Sequence, residues 1–239
     1  MRPIRIDRFL ANQGKGSRKE VRTLLKNGRV RINTAVVTNS EQKVDPEKET
    51  VFLDGHALIW HAHLYLMMNK PAGVISANRD PKAKTVLDLL PSAFSRPGLF
   101  PAGRLDKDTE GFLLITDDGV FAHEILSPRR HVEKLYCAQL DASVTPSDVE
   151  AFSAGMILED GFQCQPAKMW AGKEKEAFTV LREGKFHQVR RMFAMCGKRV
   201  LHLRRLQIGA VVLDVDLKPG EVRELTESEK KEVKKSVFF

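Results

Sequence analysis

The sequence predicts an α+β chain in two parts, a small basic domain over residues 1–60 and a larger mixed domain over 64–239. Three observations carry that expectation. At 239 residues the chain exceeds the usual length of one domain. Its formal net charge of +8 lies entirely within residues 1–31, where ten Lys/Arg face only Asp7 and Glu20, leaving the rest of the chain neutral. From Leu64 onward, strand and helix signals mix without the regular βαβ alternation of a doubly wound fold.

The basic part opens with Arg2, then a short helix over Ile6–Asn12 that turns Phe9 and Leu10 inward. Ser17 with Glu20 three residues later is a capping-box signature, so a second helix starts there. Val21, Leu24 and Leu25 follow at helical spacing, and Asn27-Gly28 supplies the left-handed stop. Arg18, Arg22, Lys26 and Arg29 recur on the opposite side, so one face packs and the other offers a row of cations. The run from Arg29 to Val37 then alternates as a hairpin turning near Asn33-Thr34. Arg5, Arg8, Lys15, Arg18, Lys19, Arg22, Lys26 and Arg29 are the candidate contacts to a polyanion, because each neutralised phosphate releases counterions. Without this pattern, a basic stretch is more simply a solubilising face.

The stretch RIDRFLANQGKGSRKEVRTLLKNGRVRINTAVV resembles the S4 RNA-binding domain. That resemblance implies binding to folded RNA by shape and backbone contacts. It implies no catalysis, since S4 domains also occur in proteins without enzymatic activity. Leu58–His63 reads as the linker.

In the larger part, Leu64–Asn69 reads as a buried strand running into Lys70-Pro71. Thr85 caps a short helix over Val86–Leu90, Phe112–Thr116 is a strand, and Asp117-Asp118-Gly119 is a hairpin-type turn. Thr145-Pro146 with Asp148 opens another helix. Ala177–Arg182 is a strand, Glu183-Gly184-Lys185 turns the chain, and a helix runs from His187 to Gly197. Val189, Met192, Phe193 and Cys196 form the buried stripe of that helix. Arg190 flanks the stripe, while Arg191 points toward solvent or phosphate. The tail from Thr226 to Phe239 reads as a charged helix with Thr226 and Glu229 as its capping box, and its Lys-rich face reads as solvated.

Several function classes are excluded. No apolar run approaches the roughly 18 residues of a membrane span, and the N-terminus lacks the apolar core of a secretory signal. Cys137, Cys164 and Cys196 are odd in number and far apart, as expected of buried thiols in a reducing compartment, the cytoplasm, with no disulfide framework. No H-E-x-x-H, Walker loop or G-x-G-x-x-G occurs, and His187, His202 and Cys196 lack the paired spacing of a metal site. Neither metal nor cofactor is expected. Carboxylate chemistry remains. Taken alone, Asp106 is a turn or capping residue, as an Asp before Lys-Asp-Thr is in most proteins. Tyr136 by itself is an ordinary strand aromatic, and Arg190 and Arg191 a solvated helix face.

In order along the chain stand NKPAGVIS, GRLDKDTEGFLLITDDG, EKLYCAQL, EGKFHQVRRMF and LRRLQIG. Together they resemble the pseudouridine synthases of the RsuA and RluB/E/F type, RsuA above all, over nearly the whole chain. The resemblance implies a mainly antiparallel sheet with a central cleft. It makes Asp106 the catalytic carboxylate, Tyr136 the aromatic that stacks on the target base, and Arg190 the partner of Asp106. Lys70 with Pro71 would support the site, Leu203 would pack near the tyrosine, and Arg104 would fill the gap left by a flipped base. Arg191 and Lys70 complete the expected substrate contacts. Phe112 stands where Leu is more usual, a core exchange.

The chemistry suits these residue types. Breaking the N1–C1′ bond, turning the uracil and joining C5 to C1′ neither gains nor loses atoms. A carboxylate can attack or stabilise C1′, as in glycosidases, although an adduct at C1′, addition to the base and a glycal route stay open at this level. The implied substrate is small-subunit ribosomal RNA within a pre-ribosomal particle, met by a monomer in the cytoplasm and away from membranes. The rivals are action on large-subunit ribosomal RNA, and a non-catalytic RNA-binding or ribosome-assembly protein using the S4 module.

Overall fold

The computed structural model describes residues 3–127 and 132–238, so Arg2 of the basic set lies outside the described residues. The chain divides into two units, Met1–Leu64 with Leu90–Leu99, and Tyr65–Leu89 with Phe100–Phe239.

In the first unit the local signals act where the sequence places them. Strand β1 (Ile4–Arg5) leads into helix α1 (Ile6–Asn12), and the Ser17–Glu20 capping box forms at the start of α2 (Arg18–Lys26). Ser17 Oγ accepts from the Glu20 amide and Glu20 Oε2 from the Ser17 amide, satisfying two donors that a helix start otherwise leaves open. Gly28 ends the helix at φ +67. Strands β2 (Val30–Ile32) and β3 (Ala35–Val36) make the expected hairpin around Asn33, itself left-handed at φ 52. Strand β4 (Lys43–Val44) pairs with β1, while β5 (Val51–Leu53) and β6 (His56–Leu58) extend the hairpin to the order β3-β2-β5-β6. Ile6, Phe9, Leu10, Val21 and Leu25 meet Val30, Ile32 and Val51 in one core.

The expected linker is packed instead. Trp60 stacks on Phe9 with ring centroids 5.0 Å apart, and His61 exchanges hydrogen bonds with the Gln13 side chain. The stretch is itself mostly apolar, and burying Trp60 on Phe9 favours packing over a solvated linker.

The second unit is built on one mixed sheet. Strands β7 (Tyr65–Lys70), β8 (Phe100–Ala102), β9 (Thr109–Thr116) and β10 (Lys134–Leu140) precede β11 (Lys168–Ala171), β12 (Glu176–Leu181) and β13 (Val200–Ile208). The short β14 (Val211–Val212) and β15 (Val222–Glu224) complete it. The order is β11-β12-β10-β13-β9-β7-β15, with β14 on β13 and β8 on β9. Among the strands of this sheet, as far as the described residues show, every pairing is antiparallel except β13 with β9, where Leu203 and Arg205 face Thr109 and Gly111. Strand β9 is buried on both faces, which explains its unbroken apolar run. Phe112 and Leu114 join Phe121 and Ile125 on one side, and Leu113 and Ile115 are equally buried on the other.

Asp117-Asp118-Gly119 does not make a hairpin. Asp118 caps helix α3 (Gly119–Leu126), its Oδ1 accepting from the Val120 and Phe121 amides. A carboxylate that can satisfy two helix-start donors overrides the turn reading. Thr145 and Asp148 form the capping box of α4 (Pro146–Ala154), as the sequence predicts. Helix α5 (Gln188–Met195) follows, with Phe193 against Phe152 of α4. The tail helix α6 (Glu227–Glu232) is capped by Thr226 and Glu229 but stops early. Its lysine face is not simply solvated, because Lys230 lies over the Tyr65 ring and Lys234 over Phe121, and Lys234 pairs with Glu124. The short helix after Thr85 is a single turn at Leu87–Leu89.

Candidate active site

The loop between β8 and β9 carries Asp106, and buried groups hold it from behind. Lys70 ends β7 with no exposed surface, and its Nζ donates to the carbonyls of Pro71, Asp106, Lys107 and Thr109 at 2.8–3.3 Å. Burial pushes its pKa down to about 8, partly opposed by Asp108, Glu110 and Asp106. Ser76 Oγ donates to the Leu105 carbonyl and accepts from the Leu105 amide. The Gly73 amide donates to Lys107 O. The backbone of the loop is thereby fixed, and the Asp106 carboxylate, 29% exposed, faces a cleft of about 430 Å³.

Tyr136 reaches the same cleft from β10, between Thr179 of β12 and Arg205 of β13. Leu203 of β13 lines it too, set beside Thr109 and Ala138. Arg104 is exposed at the rim, with no ion-pair partner among the described residues. Asp106, Tyr136, Leu203 and Arg104 are thus brought together.

Three expected contacts are corrected. Arg190 does not pair with Asp106: its Nη2 is 2.9 Å from Asp108 Oδ2, and its Nη1 donates to the Val200 carbonyl. The anchor on Val200 aims the guanidinium at the acid two residues along the loop. The side chain that faces Asp106 is His187, whose Nε2 is 3.6 Å from Oδ1. His187 caps α5 in a left-handed conformation and stacks on Phe186. Arg191 does not stand free for a phosphate but pairs with Asp160 at 2.5 Å. Lys70 cannot touch a substrate, because all of its donors are spent on buried carbonyls. It is a positioning residue.

Sequence reasoning also missed Arg205. This side chain is 5% exposed, donates from Nε to Phe112 O at 2.7 Å, and places Nη1 3.4 Å from the Tyr136 hydroxyl. Its position depends on Gly111, where a Cβ would stand 2.2 Å from the Arg205 carbonyl oxygen. Strand alternation was the available signal, since residues two apart share a face and Leu203 already pointed to the site.

In the first unit, Arg18, Lys19, Arg22 and Lys26 line one groove and make no ion pair among the described residues. Arg8 and Lys15 are exposed. Arg5 and Arg29 depart from expectation: Arg5 bridges Asp7 and Glu41, and Arg29 grips Asp54 with two hydrogen bonds. These forked pairs form because each guanidinium meets a carboxylate on its own unit.

Two family models match, S4 domain over residues 4–49 and RNA pseudouridylate synthase over residues 64–195. An uncharacterized RNA pseudouridine synthase of Bacillus subtilis, YtzG, is 44% identical over 95% of this chain and 96% of its own. Ribosomal small subunit pseudouridine synthase A of Escherichia coli is 39% identical over 95% of this chain and 98% of its own. A solved pseudouridylate synthase structure aligns with a TM-score of 0.67 at 34% identity, covering 96% of this chain and 99% of that one.

Proposed function

The chain belongs to the RNA pseudouridylate synthase family, in its RsuA-type branch with an S4 domain ahead of the synthase domain, and from that membership we propose that it isomerises one uridine of small-subunit ribosomal RNA to pseudouridine. The observation that carries the reading is that Asp106 and Tyr136 face one cleft. The identity to the Escherichia coli enzyme over almost the whole chain supports the choice of RNA.

Asp106 is the carboxylate that meets C1′ as the N1–C1′ bond breaks. The uracil turns within the cleft, C5 joins C1′, the C5 proton leaves and N1 gains one, so the composition of the RNA is unchanged. Tyr136 offers a face for the base and a hydroxyl for proton transfer. The uridine must leave its stack to reach them, and Arg104 at the rim fills the gap. Arg190 holds the loop through Asp108 and positions Asp106 without touching it. The exposed cations of α2 attract the RNA backbone. The enzyme works as a cytoplasmic monomer on a pre-ribosomal small-subunit particle. Three observations fit that setting: the cysteines are free, the described residues contain no helix long and apolar enough to cross a membrane, and the relative named above acts on the small ribosomal subunit.

The test is tritium release from 5-tritiated uridine in ribosomal RNA. Wild type should release one equivalent per RNA, and Asp106→Asn should be slower by at least about a thousandfold. Absence of release by wild type on free RNA and on both precursor subunits would sink the enzyme reading. Mapping the modified nucleotide to the large subunit would overturn the choice of RNA alone.

A further inference from the structure

A second cavity, of about 1260 Å³, adjoins the catalytic cleft and shares Arg104, Tyr136, Glu183, Gly184 and Lys185 with it. Two nearly buried cations line it, Lys134 at 8% and Arg205 at 5% exposure. Neither has a carboxylate partner among the described residues. Lys134 Nζ donates to the carbonyls of Val132 and Ile125, which leaves one of its three donors. Arg205 Nη2 is buried without a hydrogen-bond partner. Glu183, the acid on the cavity wall, accepts through Oε2 from the Gln165 amide and from Gln188 Nε2, and it pairs with neither cation among the described residues. Burial pushes the Lys134 pKa down to about 8, and Arg205 beside it adds to the shift.

Two neighbouring buried cations with spare donors and no acid paired to either are costly unless an anion arrives to complete them. A uridine seated at Asp106 carries a phosphodiester on each side of its ribose. We propose that Lys134 and Arg205 form a phosphate subsite that takes a backbone phosphodiester flanking the target uridine. The inference rests on the RNA reading above. The lysine of EKLY and the second arginine of LRR, which no expectation had assigned to substrate, then become substrate-binding residues. The exposed Lys185 at the mouth of the cavity adds a weaker contact.

The test is a coupling measurement on the full chain, with an RNA fragment in which wild type is first shown to release tritium. Each phosphodiester near the target is replaced in turn by a neutral methylphosphonate, and binding is measured with wild type and Lys134→Met. One linkage should cost wild type about tenfold in affinity and Lys134→Met less than about twofold at that linkage. A merely structural lysine would leave the losses equal in the two proteins at every linkage, and that result overturns the proposal. Inorganic phosphate separates the sources of the anion. A Lys134-dependent rise in melting temperature with phosphate, at constant ionic strength and with no coupled linkage, marks a free-phosphate site and also overturns it. If Lys134→Met does not fold at the assay temperature, the same cycle with Lys185→Met should show the same linkage coupled, by about threefold. If no linkage is coupled there either, the proposal is wrong. Failure of tritium release by wild type would instead refute the proposed function.

Discussion

On α2, Arg18, Arg22 and Lys26 stand in solvent along one helix face, with no acid holding them. In the synthase unit, Lys70, Lys134 and Arg205 are buried, and each is tied to backbone carbonyls. The first group can meet any phosphate that comes near, with little geometric demand and strong dependence on salt. The second group is fixed to within hydrogen-bond tolerances, so its members set where a loop or a phosphate lies. The same residue types thus serve attraction in one region and positioning in the other. The difference is made by burial.

The sharpest way to break this comparison is to remove a buried cation that touches no substrate. Lys70→Met keeps the length of the side chain but takes away the donor shared by Pro71, Asp106, Lys107 and Thr109. Met leaves those carbonyls without their donor, which costs about 1–3 kcal/mol or more, so the variant should melt several degrees below wild type yet stay folded at the assay temperature. Displacing Asp106 by about 1 Å should lower kcat about a hundredfold, while affinity for RNA stays within about twofold. Tritium-release kinetics and a filter-binding isotherm measure the two. Equal losses in kcat and affinity would mean that Lys70 acts on RNA directly.

The opposite pattern is expected on α2. Arg18→Ala, Arg22→Ala and Lys26→Ala combined should weaken RNA binding about tenfold or more at moderate salt. The slope of log K against log salt should fall by up to about three. Turnover at saturating RNA should not change. A retained salt slope would show that the excess charge of the first thirty residues does not contact the RNA backbone.

The two regions also differed in how far the sequence disclosed them. The α2 cations were legible because helical periodicity is local: Ser17, Glu20, Val21 and Leu25 fix the helix, and the helix fixes which side Arg18 and Arg22 face. The α+β class and five of the fifteen strands among the described residues, β2, β3, β7, β9 and β12, were legible for the same reason, and ordered motifs marked Asp106, Tyr136 and Leu203. Contacts set by distant chain were not. Arg190 finds Asp108 because Val200 anchors it from the next strand, Arg5 finds Glu41, and Arg205 reaches Tyr136 from the neighbouring strand, 69 residues on. Asp118 was misread because a turn and a helix cap use the same residue type, and Tyr65, which donates to its Oδ2, lies 53 residues away.

The smallest expected effect concerns the proton on Lys134. Burial lowers its pKa from 10.5 in the unfolded chain to about 8 in the fold, with Arg205 contributing. Above about pH 8 the folded lysine has begun to lose its proton while the unfolded one keeps it. The unfolded state therefore binds more protons, and this lysine's contribution to stability rises with pH from about 8 toward 10.5. Below pH 8 both states hold the proton and the contribution is flat. Lys134→Met has no such group, and every other titration, including that of Tyr65, is common to the two proteins and cancels in their difference. Urea unfolding of wild type and variant from pH 7 to 10 should show a constant difference up to pH 8. Beyond it the difference should move in favour of wild type, by on the order of 1 kcal/mol in the first unit. An exposed lysine would give a difference flat across the whole range, and that outcome would place Lys134 with the cations of α2 rather than with those that position the site.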